Sequence, residues 1–142
     1  MGWPALFAAT NAISLVAWAL LVLGPRGLRT AAIILYFGVG LLCLAYAAMF
    51  ASQIGQLFEA NFTGIEGIRA LFASDAGIVI GWTHYLAFDL FIGQWIAKDA
   101  DHKGFSRIFQ APVLLLTMFA GPIGLLIWLV IRERRARAAA RG

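Results

Sequence analysis

Charged residues are scarce in this chain: of its 142 residues, 62% are hydrophobic and only 13% are charged, whereas soluble domains average about 25% charged residues. The composition therefore excludes an ordinary soluble domain. The net charge of +4 does not indicate nucleic-acid binding, because five of the eleven basic residues lie in the last eleven positions. Arginines that follow a membrane span typically anchor the helix end and contact lipid headgroups.

Long apolar stretches indicate where the chain can cross a membrane. A transmembrane helix needs about 20 apolar residues, and three charge-free stretches exceed that length: 1–25, 30–58 and 108–131. A fourth apolar stretch contains His84 and Asp89. Because a lipid-exposed backbone must satisfy its own hydrogen bonds, we predict that all four are helical. The predicted spans are residues 3–23, 30–50, 76–97 and 112–131.

These spans predict an all-α fold, a polytopic membrane protein with a four-transmembrane-helix bundle. Residues 1–131 are predicted to form a single membrane domain, and residues 132–142 a basic tail. No positive charge precedes the first apolar run, so we expect it to be retained rather than cleaved as a signal peptide. Pro122 is predicted to kink the fourth span. The single cysteine, Cys43, excludes an internal disulfide and favours a packing role.

The second connection, residues 51–75, has an amphipathic pattern. Its apolar residues recur at helical spacing between polar ones: Ile54, Leu57, Phe58, Ile65, Ile68, Leu71 and Phe72. We predict one or two short helices on the membrane surface. Ser74 is placed to cap the third span, with Asp75 in its first turn. The third connection, 98–107, is the most charged part of the chain outside the tail.

The basic residues do not orient a four-span bundle. Four spans place both termini on one side, together with the second connection. That side carries six basic residues, and the opposite side carries five. The positive-inside rule needs a clearer bias than this.

Asp89 is the strongest functional signal, because it lies near the middle of the third span. A carboxylate at the centre of a membrane helix costs about 2.5–3.5 kcal/mol on insertion scales, and such residues face the bundle interior or a wet cavity. An apolar site favours the protonated carboxyl, which makes Asp89 a candidate proton donor. The structural alternative is an aspartate that ties helices together, for example through Asn11.

His84 is open to two interpretations, proton transfer and structural hydrogen bonding. His84 and Asp89 lie five positions apart, about 140° around a helix, so they would approach a cavity from separate walls. The other histidine, His102, lies about 27 Å further along a continuous helix. One chain therefore cannot supply two axial histidines to one haem. The dispersed carboxylates make a metal site weak as well, and we predict no cofactor.

Aromatic residues surround these two groups in the third span. They are predicted to line a slot for a flat or elongated apolar ligand, and Asn11 from the first span adds a polar group that needs partners at depth. The candidate substrate-binding residues are Trp82, Tyr85, Phe88, Phe91, Trp95 and Asn11. Three tryptophans near span ends fit an interfacial belt: Trp3, Trp95 and Trp128.

The third span also carries a resemblance to a known family. Residues 81–96 read GWTHYLAFDLFIGQWI, and Asp99 follows. This run resembles the central motif of the abscisic-acid-deficient-four-like family, whose plant member is associated with neoxanthin synthesis. Weaker similarities are present elsewhere in the chain: Asn11, Trp18, Pro25 and the Gly121-Pro122-x-Gly124-Leu125 segment. The resemblance covers nearly the whole chain.

The resemblance implies a four-span membrane protein of xanthophyll metabolism, a possible carotenoid isomerase. In plants the family is linked to conversion of violaxanthin into neoxanthin, which opens a 5,6-epoxide and creates an allene. That step needs an acid at the epoxide oxygen and a base that removes a polyene hydrogen. Our hypothesis assigns these roles to the catalytic candidates Asp89 and His84.

Two other functions fit the same residues. One is a non-enzymatic membrane protein that binds a carotenoid, quinone or lipid, or that assists a partner membrane enzyme. The other is a proton or ion pathway centred on Asp89. The expected partners are the lipid bilayer and an apolar isoprenoid-type ligand, with a homo-oligomer as a further possibility and no nucleic acid. The chain has no Ser/Arg-rich transit-like start, which favours a bacterial plasma membrane.

Overall fold

The computed structural model describes residues 2–55 and 63–139, with side chains given up to residue 134. Within these ranges the regular structure is helical and contains no strand, which confirms the predicted all-α class. The helices are α1 Trp3–Leu23, α2 Leu28–Ser52, α3 Ile65–Leu71, α4 Asp75–His102, α5 Arg107–Phe119 and α6 Gly121–Ala139.

Three of these helices, α1, α2 and α4, are long and apolar enough to cross a membrane. They coincide with the first three predicted spans. Helix α2 contains a π-helical stretch at Ile34–Gly40. Helix α4 has 28 residues and continues beyond the predicted end at 97 to His102. Asp99, which was expected in a connection, therefore lies in the last turns of α4.

Glycines allow α1 and α2 to approach α4 closely. The indole of Trp18 from α1 lies on Gly93, and a Cβ at Gly93 would overlap it. Gly38 of α2 faces Ala17 and Leu90 in the same way. Small residues at such crossings are typical of membrane helices, since packing rather than hydrophobic burial drives their association.

The prediction of one kinked helix over 112–131 is wrong. Helix α5 ends at Phe119, Ala120 leaves the helical conformation with φ −148° and ψ 64°, and α6 begins at Gly121. Pro122 is the second residue of α6, a position where its missing N–H was not needed by the helix. The proline therefore starts a new helix instead of kinking a continuous one.

Helices α5 and α6 fold back on each other as an antiparallel hairpin. The rings of Phe105 and Trp128 pack 5.2 Å apart, although a continuous helix would separate these residues by about 34 Å. Trp128 is fully buried, so its predicted place in an interfacial belt is also wrong. At the other end, Gly124 lies against the backbone of Thr117.

The hairpin reaches the middle of α4 and then returns. Near its open end, Gln110 of α5 donates a hydrogen bond to Asp101 near the end of α4, at 2.7 Å. At its tip, Gly121 contacts Asp89, which lies midway along α4. Both legs of the hairpin thus cover the C-terminal half of α4 only.

One of the one or two short helices predicted between α2 and α4 is confirmed, and its place on the membrane surface stays a prediction. Helix α3 is short and largely exposed, and Arg69 pairs with Glu66 on it. Leu57 and Phe58 lie outside the described residues. Ser74 caps α4 as predicted, because its hydroxyl accepts a hydrogen bond from the Gly77 N–H at 3.1 Å.

Candidate functional site

Asp89 lies beneath the tip of the α5–α6 hairpin. The residue is only 8% exposed. Its carboxyl fills the space beside Gly121, where any Cβ would overlap it. The Oδ2 atom is buried and has no hydrogen-bond partner among the described residues. The tip thus covers a buried carboxyl midway along α4, and one oxygen of this carboxyl has no described hydrogen-bond partner.

Tyr85 links Asp89 to the tip. Its hydroxyl donates to the carbonyl of Phe119 at 3.2 Å and lies within hydrogen-bonding reach of the Asp89 carboxyl. The bond to Phe119 satisfies a carbonyl where the helix is interrupted, as apolar surroundings require. The first residue of α6 adds the positive end of a helix dipole. We call Tyr85, Asp89 and Gly121 the tip site; together they can position a carboxylic proton.

His84 lies on a different face of α4 and lines a cavity of about 380 Å³. This His84 cavity is bounded by the C-terminal part of α2, the end of the surface segment and the start of α4. Its volume falls in the range of small-molecule pockets, roughly 300–1,000 Å³. The imidazole packs 5.6 Å from the Tyr46 ring and stacks on Phe88 at 4.6 Å. Sequence reasoning missed Tyr46, which only the antiparallel pairing of α2 and α4 brings to this position.

The predicted aromatic slot is divided into two parts. Trp82 and Tyr85 stack at 5.5 Å in a shallow groove that also contains Phe7, whereas Phe88 accompanies His84. The ring of Phe72 lies on Gly81, so close that a Cβ there would overlap it. Phe72 and Gly81 border both the groove and the His84 cavity. The Phe72 ring is therefore the wall between the two.

The remaining candidates take separate positions. Asn11 accepts a hydrogen bond from the Trp82 indole at 3.1 Å and donates one to the Phe7 carbonyl at 2.7 Å, so its partners do not include Asp89. Phe88, Phe91 and Trp95 continue from His84 as an exposed stripe along α4, with exposed fractions of 56%, 48% and 38%. Asp89 does not line the His84 cavity. His84 and Asp89, the two predicted catalytic residues, thus lie on either side of the face of α4 that carries Gly81 and Tyr85.

A second acidic residue, Asp99, lies ten residues after Asp89. Sequence reasoning missed its role in holding helices together. Asp99 accepts hydrogen bonds from the Trp128 indole at 3.0 Å and from Nε of Arg132 at 2.8 Å. Lys103 pairs with it at 3.1 Å. The sequence signal was Lys103 at i+4, but the partners from α6 required the hairpin. No group of three metal-ligating side chains occurs within the described ranges.

Comparison with known proteins identifies the family. A family model described as ABA DEFICIENT 4-like matches residues 5–128. No curated protein and no solved structure matches the chain. The matched region includes the three apolar helices, the tip site and the His84 cavity, and extends to Trp128. The chain therefore belongs to the ABA4-like family.

Proposed function

We propose that the protein is a membrane-embedded isomerase that acts on a carotenoid or a related xanthophyll. Family membership supports a relation to neoxanthin-synthase-type proteins. The observation that carries the proposal is the His84 cavity and its continuation into the aromatic stripe of Phe88, Phe91 and Trp95. A cyclic end group fits the cavity, and a rigid polyene can follow the stripe, which extends about 16 Å along α4.

The proposed chemistry uses groups on both sides of the Gly81 face. His84 contacts an end group in the cavity and removes a polyene hydrogen as the base. The acid is Asp89, which acts through the Tyr85 hydroxyl. As the C–O bond of the epoxide breaks, this hydroxyl turns from the Phe119 carbonyl, gives its proton to the epoxide oxygen and takes the proton of Asp89. One proton is given and one is taken, so the reaction is an isomerisation. The Phe72 ring must move from Gly81 for one end group to contact both sides.

The test is pigment chromatography from a carotenoid-producing host that expresses the protein. We expect a new pigment with the wild type, and its loss in His84→Gln and in Asp89→Asn. His102→Gln and Asp75→Asn make the same chemical changes outside the His84 cavity and the tip site, and should retain activity. Conversion by both site variants at wild-type levels and equal expression would overturn the proposal.

Two other outcomes of this experiment point to the alternatives. Pigment that copurifies with the protein without being altered would support a binding protein, for which the His84 cavity alone is sufficient. Conductance in liposomes that is lost in Asp89→Asn would support a proton pathway through the tip site. The partners stay a prediction, whether a partner enzyme or a second copy in a homo-oligomer. The bacterial plasma membrane also stays a prediction as the location.

We also propose a membrane topology with three crossings and a re-entrant hairpin, in place of four spans. Helices α5 and α6 enter from the C-terminal end of α4 and return to it, so the two chain termini lie on opposite sides. Seven of the eight basic side chains described then lie at one end of the bundle, and only Arg69 lies at the other. In the four-span arrangement the basic residues divide six to five between the two sides. The three-crossing topology gives a clear excess at one end, and the positive-inside rule then predicts that this end is cytoplasmic.

Single cysteines test this topology in a Cys43→Ala background. A membrane-impermeant maleimide should label Gly64→Cys from outside intact cells and should label Arg134→Cys only after permeabilisation. Labelling of both from the same side would restore the four-span arrangement.

A further inference from the structure

A second cavity, of about 480 Å³, lies at the basic end of the bundle, away from the His84 cavity. It is formed by the end of α1, the turn before α2, the first residues of α2 and the last turns of α4. Leu20, Leu21 and Ile34 line its apolar part. Its polar part is lined by Arg26 and Lys98 together with Gln94, Asp101 and His102. We call it the basic-end cavity, after its place at the basic end of the bundle.

The positive charge of this cavity is only partly compensated. Nη2 of Arg26 donates to Gln110 at 2.9 Å, and Nε lies 3.5 Å from Asp101. That Nε is buried and makes no hydrogen bond to any described residue. Burial lowers the pKa of Arg26, and the Asp101 carboxylate opposes this shift. Lys98 is exposed and forms no ion pair within the described residues.

The beginning of α2 adds to the positive potential. Gly27 precedes the helix and offers no side-chain cap, so the first N–H groups of α2 receive none of the usual side-chain acceptors. Gly27, Leu28 and Thr30 all line the basic-end cavity. The rim carries two cations and one carboxylate, Asp101, whose oxygens face Gln110 and Arg26. The combination is an apolar recess with a net positive rim, which is the chemistry that an anionic amphiphile requires.

We propose that the basic-end cavity binds one anionic phospholipid, with an acyl chain against Leu20, Leu21 and Ile34 and the phosphate between Arg26 and Lys98. The recess is open to the surface at the end of the bundle where the basic residues gather. A zwitterionic lipid brings its own cation to the same rim and is disfavoured. The proposal does not depend on the isomerase activity, because the His84 cavity lies at the other end of α4.

The test measures lipid retention by the full chain in detergent micelles with native mass spectrometry. Phosphatidylglycerol and phosphatidylcholine of identical acyl chains are offered in competition. One basic residue near an anionic headgroup is worth a factor of about five in affinity. We therefore expect the wild type to prefer phosphatidylglycerol and Lys98→Gln to lose about fivefold of that preference. Arg134→Gln removes a charge from the same end but does not line the cavity, and it should keep the preference.

Three results would overturn this proposal. One is equal retention of both lipids by the wild type. Another is an equal loss in Lys98→Gln and Arg134→Gln, which would indicate only diffuse attraction to the basic end. The third is displacement of bound lipid by millimolar inorganic phosphate, which would mean that the rim binds a free anion. Arg26→Gln would not give the same test, because Arg26 also donates to Gln110 and its loss would disturb the contact with α5.

Discussion

Helix α4 carries two aspartates ten residues apart, the buried Asp89 and the partly buried Asp99, and the hairpin contacts them in different ways. Asp99 is surrounded by donors from three side chains: Trp128, Arg132 and Lys103. Asp89 lies against the tip of the same hairpin and retains an oxygen with no described partner. Asp99 thus has three donors, whereas Asp89 has only the Tyr85 hydroxyl within reach and keeps Oδ2 without a described partner.

The difference separates a structural charge from a candidate functional one. Asp99 has one partner directly after α4 and two on α6, and these contacts hold the open end of the hairpin to the bundle. An unsatisfied buried oxygen costs free energy, about 1–3 kcal/mol for a typical polar atom. The Asp89 arrangement therefore adds no stability through Oδ2, and an ionisable residue in the middle of an apolar helix is a functional candidate.

The largest stability effect should come from breaking the Asp99 cluster. In Asp99→Ala two cations lose their partner, and the buried Trp128 indole N–H loses its acceptor, which costs about 1–3 kcal/mol for a buried polar group. Because Arg132 and Lys103 are about one third exposed, we expect about 2–3 kcal/mol. Unfolding in mixed detergent micelles, followed by circular dichroism, measures this loss.

The control for this experiment is Glu66→Gln, which breaks the exposed Glu66–Arg69 pair on α3. Exposed pairs contribute at most about 1 kcal/mol, so this variant should unfold close to the wild type. If the Asp99 variant unfolds like Glu66→Gln, Asp99 does not stabilise the protein, and the proposed difference between the two aspartates is wrong.

Opening the hairpin should have the next largest effect. A Cβ at Gly124 would lie 2.6 Å from both Cα and N of Thr117, and backbone atoms cannot rotate away as side chains do. We expect Gly124→Ala to destabilise the protein by about 1–3 kcal/mol. Gly64→Ala is the matched control, since nothing lies within 4 Å of its added Cβ. Equal unfolding of the two variants would argue against the close packing of α5 on α6.

The sequence was sufficient for features set by local physical rules. Apolar length located α1, α2 and α4, and the hydroxyl of Ser74 predicted the start of α4. The cost of a charge at mid-span identified Asp89 without any knowledge of its neighbours. Each of these inferences depends on residues within one helix.

The same rules could not predict features that depend on how one helix folds back on another. The stretch 108–131 is long enough for one crossing, and a proline permits either a kink or a new helix start. Only contacts between distant residues, such as Phe105 with Trp128, decide between them. The division of the aromatic slot has the same origin, because Phe72 arrives from the surface segment. Helical spacing on α4 cannot reveal a ring contributed by another element.

Asp89→Asn should affect stability much less than changes at Asp99. The amide has nearly the same shape as the carboxyl, and no described donor to Oδ2 is lost. We expect an unfolding free energy within about 1 kcal/mol of the wild type, together with loss of pigment conversion. A loss of stability as large as that of the Asp99 variant would show that Asp89 mainly holds the hairpin tip.

The smallest effect should come from the Asn11–Trp82 hydrogen bond, which joins α1 to α4 on the groove side of the tip site. Hydrogen bonds between membrane helices average about 0.6 kcal/mol in double-mutant cycles. The cycle of Asn11→Ala, Trp82→Phe and the double variant should give a coupling near that value. Coupling above about 2 kcal/mol would mean that this pair, and not Asp99 alone, fixes α4 in the bundle. A small coupling combined with altered pigment conversion would instead place both residues at the substrate. The pair would then contribute little to stability but would be needed for binding in the groove.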